Sequence, residues 1–425
     1  MNEQKAPSNY RTHLLTLGLG LLSLSQAFAQ EAETSTSTWD ILPNAIKEGK
    51  VNVNSLLRWE YADQESFGGG ADPRESNAFT FRNRVGFTTG SFSNFKSQIE
   101  FEDVTIIGNE DNYNQAGLNP AGATRTVIAD PEGTEINQAW LAYENWNTVA
   151  KFGRQKIVLD GSRFIGDVIW RQNQQTYDAF SLSNTGLTDT SLFYAYASNV
   201  NRIFGDDHPA GDFSSDIHIF NGSYSGLKYG KLTGYTYLTD LNDAAALSNA
   251  TYGASFVGSA PVTDTMAATY HAEYAYQTDY QNSPLDYNAN YYHLSLGAKH
   301  KKINYGVGYE VLGSDGGAKG FVTPLATLHK FNGWADAFLA TPADGLEDLY
   351  AWLGVTLPGS IPFKFVYHNF EGESSGADYG HEYNVIATKK LSQHFSLLTK
   401  FAHYEAGDAG RAGRTRFWLQ VAFNY

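Results

Sequence analysis

Residues 415–425 read Thr-Arg-Phe-Trp-Leu-Gln-Val-Ala-Phe-Asn-Tyr. Side chains of an extended chain alternate between two faces, so Phe417, Leu419, Val421, Phe423 and Tyr425 share one side, and Arg416, Trp418, Gln420, Ala422 and Asn424 the other. One face is wholly apolar. Residues 51–61 repeat the pattern, with Val51, Val53, Leu57, Trp59 and Tyr61 opposing Asn52, Asn54, Arg58 and Glu60. In 79–88, Phe79, Phe81, Val85 and Phe87 oppose Thr80, Arg82, Arg84 and Thr88. Segments 95–103, 292–299 and 303–311 alternate in the same way, and sustained helical spacing is almost absent.

The spacers between these runs alternate in length. Short ones lie at 90–94, 145–147, 226–230, 301–302, 357–360 and 389–394, and long ones at 65–77, 104–134, 202–214, 279–290, 313–344, 371–377 and 407–413. Tight turns at one end and long loops at the other are the mark of a transmembrane up-and-down antiparallel β-barrel, with the turns in the periplasm. A sandwich has no reason to keep that order. Starting at Val51, the strand count is eighteen, with sixteen as runner-up, because the runs near 170–182, 251–258 and 345–355 are weak. Eighteen leaves about 22 residues per strand and spacer, room for the ~10 that a tilted strand needs to cross the apolar layer. Unpaired backbone groups are not tolerated in hydrocarbon, so the first strand must close on the last.

Composition agrees with a barrel and removes other classes. The chain has 425 residues, 18% charged, with 27 Tyr, 26 Phe, 8 Trp and no Cys. Lack of thiols excludes a disulfide scaffold and Cys-ligated zinc or iron–sulfur centres, and the aromatic content argues against disorder. A net charge of −15 and a pI near 5.1 argue against a nucleic-acid binder, which must offset phosphate charge. A mean hydropathy of −0.37 is too polar for helical membrane spans. The one long apolar stretch, 14–24, follows Lys5 and Arg11 and precedes Ala27-Phe28-Ala29, the pattern of a cleaved signal peptide over 1–29. Residues 30–50 then form a flexible periplasmic leader, 51–425 the outer-membrane barrel, and no separate plug domain is expected.

No catalytic or phosphate-binding motif is present, and the eleven His are scattered, so no enzyme activity, cofactor or metal is expected. Isolated His218 and His403 read as strand residues, and Glu110-Asp111 and Asp206-Asp207 as solvated loop charge. On the polar strand faces lie Arg58, Arg82, Arg84, Lys96, Arg171, Lys299, Lys364, Lys400 and Arg416, against Glu60, Glu100, Glu102, Glu273, Glu310 and Glu382. Basic residues outnumber acidic ones on that face of an acidic chain, which points to a lumen tuned to anions. Two loops are too apolar for water: 320–339, expected to fold inward as a short helix, and 157–170 around Arg163. Arg163, Arg171, His329 and Lys330 are thus the charges expected to meet solute, and Trp334 offers a sugar face a surface.

The runs Lys151-Phe152-Gly153-Arg154-Gln155, Trp170-Arg171-Gln172-Asn173 to Asp178, and 324–336 (Pro-Leu-Ala-Thr-Leu-His-Lys-Phe-Asn-Gly-Trp-Ala-Asp) resemble the alginate-export porin family. That resemblance implies a monomeric eighteen-stranded outer-membrane barrel with an electropositive constriction that passes an acidic polysaccharide. Tyr425 and the alternation before it are similar to the signal read by the outer-membrane assembly machinery. The expected function is passive diffusion or export of anionic solutes, alginate-like polysaccharide or sugar acids, in contact with outer-membrane lipid and lipopolysaccharide. A general porin and an outer-membrane barrel enzyme are the rival readings.

Overall fold

Period-two alternation between lipid-facing and water-facing side chains is satisfied when each strand pairs with both neighbours and the sheet closes. A computed structural model, which describes residues 38–66 and 70–425, shows this closure. A helix, α1 (Thr38–Lys47), precedes the strands. The first six strands are β1 (Lys50–Gln64), β2 (Ser76–Thr88), β3 (Phe95–Ile106), β4 (Gly133–Asn145), β5 (Thr148–Gln155) and β6 (Thr176–Asn184). Then come β7 (Thr190–Asn201), β8 (Asp212–Leu227), β9 (Gly230–Leu241), β10 (Asn249–Thr263), β11 (Met266–Asp279) and β12 (Asn288–His300). The last are β13 (Ile303–Leu312), β14 (Leu346–Leu357), β15 (Ile361–Glu371), β16 (Asp378–Lys390), β17 (Phe395–Ala406) and β18 (Arg414–Asn424).

Each strand pairs antiparallel with the next, and β18 returns to β1 with Asn54 opposite Asn424 and Gln64 opposite Arg414. The eighteen-strand reading therefore holds, and the three weak runs are β6, β10 and β14. Links at the periplasmic end are tight. Trp146 and Asn147 turn β4 into β5 with φ of 51° and 54°, the left-handed pair that matches the twist of a hairpin. Links at the outer end include L2 (107–132), L3 (156–175) and L7 (313–345).

Register sets the two surfaces. Trp59, Phe79, Phe101, Phe152, Leu294, Leu296, Leu353 and Leu419 stand exposed on the outside, an apolar area that only hydrocarbon can cover at no cost. Inside, residues of opposite parity are buried, including Arg58, Glu60, Arg84, Glu102, Glu310, Asp348, Glu382 and Arg416. At β4 a bulge turns both Asn137 and Gln138 inward, where each donates to Glu100 Oε1, at 2.7 and 2.9 Å.

The expected export signal and the Ser/Thr run up to Ser37 lie outside the described residues. The rest of the leader is more ordered than expected: 38–47 is helical, and the Ala45 carbonyl accepts from Gly90 N at 2.7 Å, seating α1 on the β2–β3 turn.

Candidate functional site

Two outer loops turn into the barrel and meet there. Gly166 N donates to Leu325 O at 2.9 Å and Thr327 N to Ser162 O at 3.0 Å, stitching L3 to L7 along their backbones. A Cβ on Gly166 would stand 2.3 Å from Thr327 Oγ1, so this contact requires glycine. Phe164, Ile165, Phe321 and Leu325 are buried against Tyr235, Tyr237 and Tyr291 of the wall. Phe164 meets Tyr291 edge-on at 5.2 Å. Each buried Phe or Leu contributes about 1.5–3 kcal/mol to holding the loops inside.

The helix expected over 320–339 does not form. Only Leu328–Lys330 makes a single 3-10 turn, and Asn332, Gly333 and Asp336 take φ of 54°, 85° and 63°, values that a right-handed helix excludes. The apolar spacing is real, but walls surround this segment on several sides, so its side chains need no common face. Gly333 supplies a close approach: a Cβ there would lie 2.2 Å from Glu382 Oε2. Glu382 Oε1 accepts from the backbone N–H groups of Trp334 and of Ala335, the latter at 2.9 Å.

Charge pairing fixes the rest. Arg171 donates to Glu60 at 3.1 Å and to Asp336 at 3.1 Å, and lies 3.5 Å from Asp130. Arg58 reaches Asp130 at 3.4 Å and the Trp170 carbonyl at 2.6 Å. Arg416 donates to Glu60 at 3.1 Å and to the Ala335 carbonyl at 3.0 Å. Three guanidiniums thus face three carboxylates, all buried, with L2, L3, L7, β1 and β18 each contributing. On another part of the wall Arg163 donates to Glu310 at 2.7 Å and to Asn332 Oδ1 at 3.2 Å. Arg84 bonds Glu102 and, at 2.9 Å, the Gln172 carbonyl, while Arg82 donates to Asn54.

His329 sits at the centre of an aromatic nest. Its ring stacks on Trp170 at 4.5 Å, Nδ1 donates to Asp336 at 2.6 Å, and Nε2 accepts from Lys400 Nζ at 2.7 Å. Lys400 lies 4.0 Å from the Trp170 ring centre and 4.1 Å from that of Trp334. Burial pushes His329 well below the ordinary imidazole range, Asp336 reversing this only in part. Burial also works against ionisation of Asp336, but His329, Arg416 and Arg171 outweigh it and hold that carboxyl well below the usual range.

The twelve residues named from the sequence therefore divide. Arg58, Arg82, Arg84, Arg163, Arg171, His329, Lys400 and Arg416 are gathered inside the barrel but buried, each under a tenth exposed. Trp334 is half-buried against Lys400. Lys299, Lys330 and Lys364 are exposed, Lys299 and Lys364 on inward positions of the periplasmic halves of β12 and β15 and Lys330 on the underside of L7. Among the described residues none of the three has a carboxylate within ion-pairing distance. Lys231, missed by the sequence reading, is half-exposed on the same wall and, unlike those three, is paired with Asp160 at 3.2 Å. Asp130 and Asp336 were also missed as partners. For Asp336 the signal was the His-Lys-Phe-Asn-Gly-Trp-Ala-Asp run, whose polar residues, with those of Trp-Arg-Gln-Asn, proved to be ones that lock the loops; Asp130 stands in neither run.

A barrel of this strand number, with inward loops bound by buried ion pairs, matches the model of the alginate export family over residues 51–311. The chain belongs to the alginate export family. No curated protein matches it in sequence. Solved structures similar to this alginate-export barrel include OccAB2 of Acinetobacter baumannii, at 14% identity and a TM-score of 0.68 over 90% of this chain and 99% of that one. OccK9 (OpdG) of Pseudomonas aeruginosa is 12% identical with a TM-score of 0.69, over 90% of this chain and 100% of the other. OpdK of the same organism, solved with vanillate, is 10% identical with a TM-score of 0.70, over 89% and 99%. At these identities the likeness is one of fold. Family and fold together make this protein an outer-membrane channel.

Proposed function

We propose that this channel passes anionic solutes, sugar acids or an acidic polysaccharide such as alginate, by diffusion down a gradient. The carrying observation is the exposed lysine set Lys299, Lys330 and Lys364 below the loops, where no described carboxylate neutralises it. A cationic wall in a low-dielectric frame lowers the barrier for an anion and raises it for a cation. The buried arginines serve a different role in this reading. Their charge is spent on Glu60, Asp130, Asp336 and Glu310, so they hold the constriction in place and leave selectivity to the lysines. Vanillate, present in the OpdK structure, is itself a carboxylate anion, and the family description names alginate export; both support this class of cargo.

The test is the reversal potential of single channels in a planar bilayer under a salt gradient. Anion selectivity that Lys299→Glu with Lys364→Glu abolishes supports the reading. Cation selectivity, or selectivity indifferent to those lysines, overturns it in favour of a general porin.

A further inference from the structure

On the inner wall of β11 and β12, His271, Glu273 and His293 each place one ligand atom within 4.8 Å of the other two. The sequence gives no hint of it, because 22 residues part the histidines; register creates it, setting Glu273 directly opposite His293, with His271 two residues along the same face. His271 Nε2 lies 3.1 Å from Glu273 Oε2. Ligand atoms at the corners of a tetrahedral zinc site stand roughly 3.4 Å apart when metal–ligand bonds are about 2.1 Å. The two imidazoles meet edge to face at 4.4 Å, so both charged together would repel, whereas both neutral they are ready donors.

We propose that His271, Glu273 and His293 form a site for a divalent transition cation, zinc being the first to test. Two imidazoles and a carboxylate suit zinc better than calcium or magnesium, which take oxygen ligands. Two of the three ligands are also oriented from behind. Tyr235 Oη donates to Glu273 Oε1 at 2.7 Å, leaving Oε2 to face the histidines. His293 Nε2 bonds the Tyr350 hydroxyl at 2.7 Å, which leaves Nδ1 to bind metal. Outer hydrogen bonds of this kind fix ring orientation and ligand basicity in metal sites. With three protein donors among the described residues, a fourth position stays open to water or to a solute carboxylate. The site also adjoins the loop anchor: His293 stands opposite Glu310, the residue that holds Arg163 of L3. A bound cation would add positive charge beside the constriction, whether or not the channel prefers anions.

The full-length protein, folded in detergent and stripped with chelator, is titrated with zinc by calorimetry and with cobalt by visible absorption. About one zinc per chain is expected, with the visible cobalt bands of a site of low coordination number. His271→Asn, Glu273→Gln and His293→Asn should each weaken zinc about tenfold or more, and Tyr350→Phe about tenfold through its hold on His293. His403→Gln, which alters the separate pairing with Glu405 on the outer surface, should leave binding unchanged. Folding of every variant is checked by its resistance to unfolding in detergent at room temperature; Tyr350→Phe keeps the test open if a ligand variant fails to fold. No stoichiometric binding to the folded protein, or binding that survives Glu273→Gln and His293→Asn, overturns the proposal.

Discussion

The two halves of the lumen use basic residues in opposite ways. Toward the outer end Arg58, Arg163, Arg171 and Arg416 are buried and each meets a carboxylate within 3.4 Å. Toward the periplasm Lys299, Lys330 and Lys364 are exposed and meet none among the described residues. The chemistry of the side chains suits the division. Arginine offers a rigid fork of donors that can bridge a carboxylate and two backbone carbonyls at once, as Arg416 does with Glu60, Ala335 and Val127, while lysine keeps its charge hydrated on a flexible stem. A buried charge cluster specifies where a loop sits; an exposed charge acts on whatever passes.

The strongest way to break this comparison is Arg171→Ala. It leaves Glu60, Asp130 and Asp336 facing two guanidiniums instead of three, and removing one member of a buried pair costs about 3–5 kcal/mol. L3 and L7 should loosen, seen as new protease cuts within 156–175 and 313–345 and as larger unitary conductance. An unchanged digest and conductance would mean that the apolar contacts of Phe164 and Phe321 suffice. Next in size is Lys299→Glu with Lys364→Glu. Each reversal shifts a monovalent anion about 8 Å away by about 1 kcal/mol in water, enough to move the reversal potential toward cation selectivity while the unfolding temperature stays put. Loss of stability instead would place these lysines with the buried set.

Acid should act on the outer half. Docked, His329 resists protonation; released into water, its ring titrates near 6.5. Above that value the ring is neutral in both states and pH has no lever. As pH falls below it the released loop binds a proton that the docked loop refuses, so docking weakens by up to about 1.4 kcal/mol per pH unit. Asp336, held far below the ordinary carboxyl value, stays ionised through this window and adds no opposing change. Conductance or protease sensitivity of L7 should therefore rise from pH 7 to pH 5, and His329→Gln should flatten that rise. The smallest effect belongs to Lys96→Gln. Lys96 and Glu144 bond at 2.7 Å, but each is more than a third exposed, and such pairs contribute about 0–1 kcal/mol; a thermal melt in detergent should barely move.

Strand faces were legible because one solvent on each side imposes a period of two. Residues 415–425 and 51–61 read correctly as the two strands that close the sheet; the structure adds their register, in which a slip of one residue would turn Phe417 and Leu419 into the lumen. Loop and turn ends were legible for a similar reason: links of two to six residues, such as 301–302 between β12 and β13, close the hairpins at the periplasmic end. The helix over 320–339 was misread because its apolar residues pack on β12, β15 and β16 rather than on one neighbour, as Phe338 does between Phe370 and Tyr379 and Phe321 against Tyr291. Parity placed Arg58 and Arg416 inside the barrel. It carried no information about a lid of loop above them.

Local alternation and spacer length thus determined, from sequence alone, a closed barrel of eighteen strands with apolar outside and charged inside, because every strand obeys the same pair of solvents. Tertiary structure alone decided which inward charges stay free. Arg171 finds Glu60 at a separation of 111 residues and Asp336 at 165, and the His271–Glu273–His293 cluster exists only through the pairing of β11 with β12. No periodicity encodes such meetings, since they depend on how irregular loops and neighbouring strands fill one shared interior.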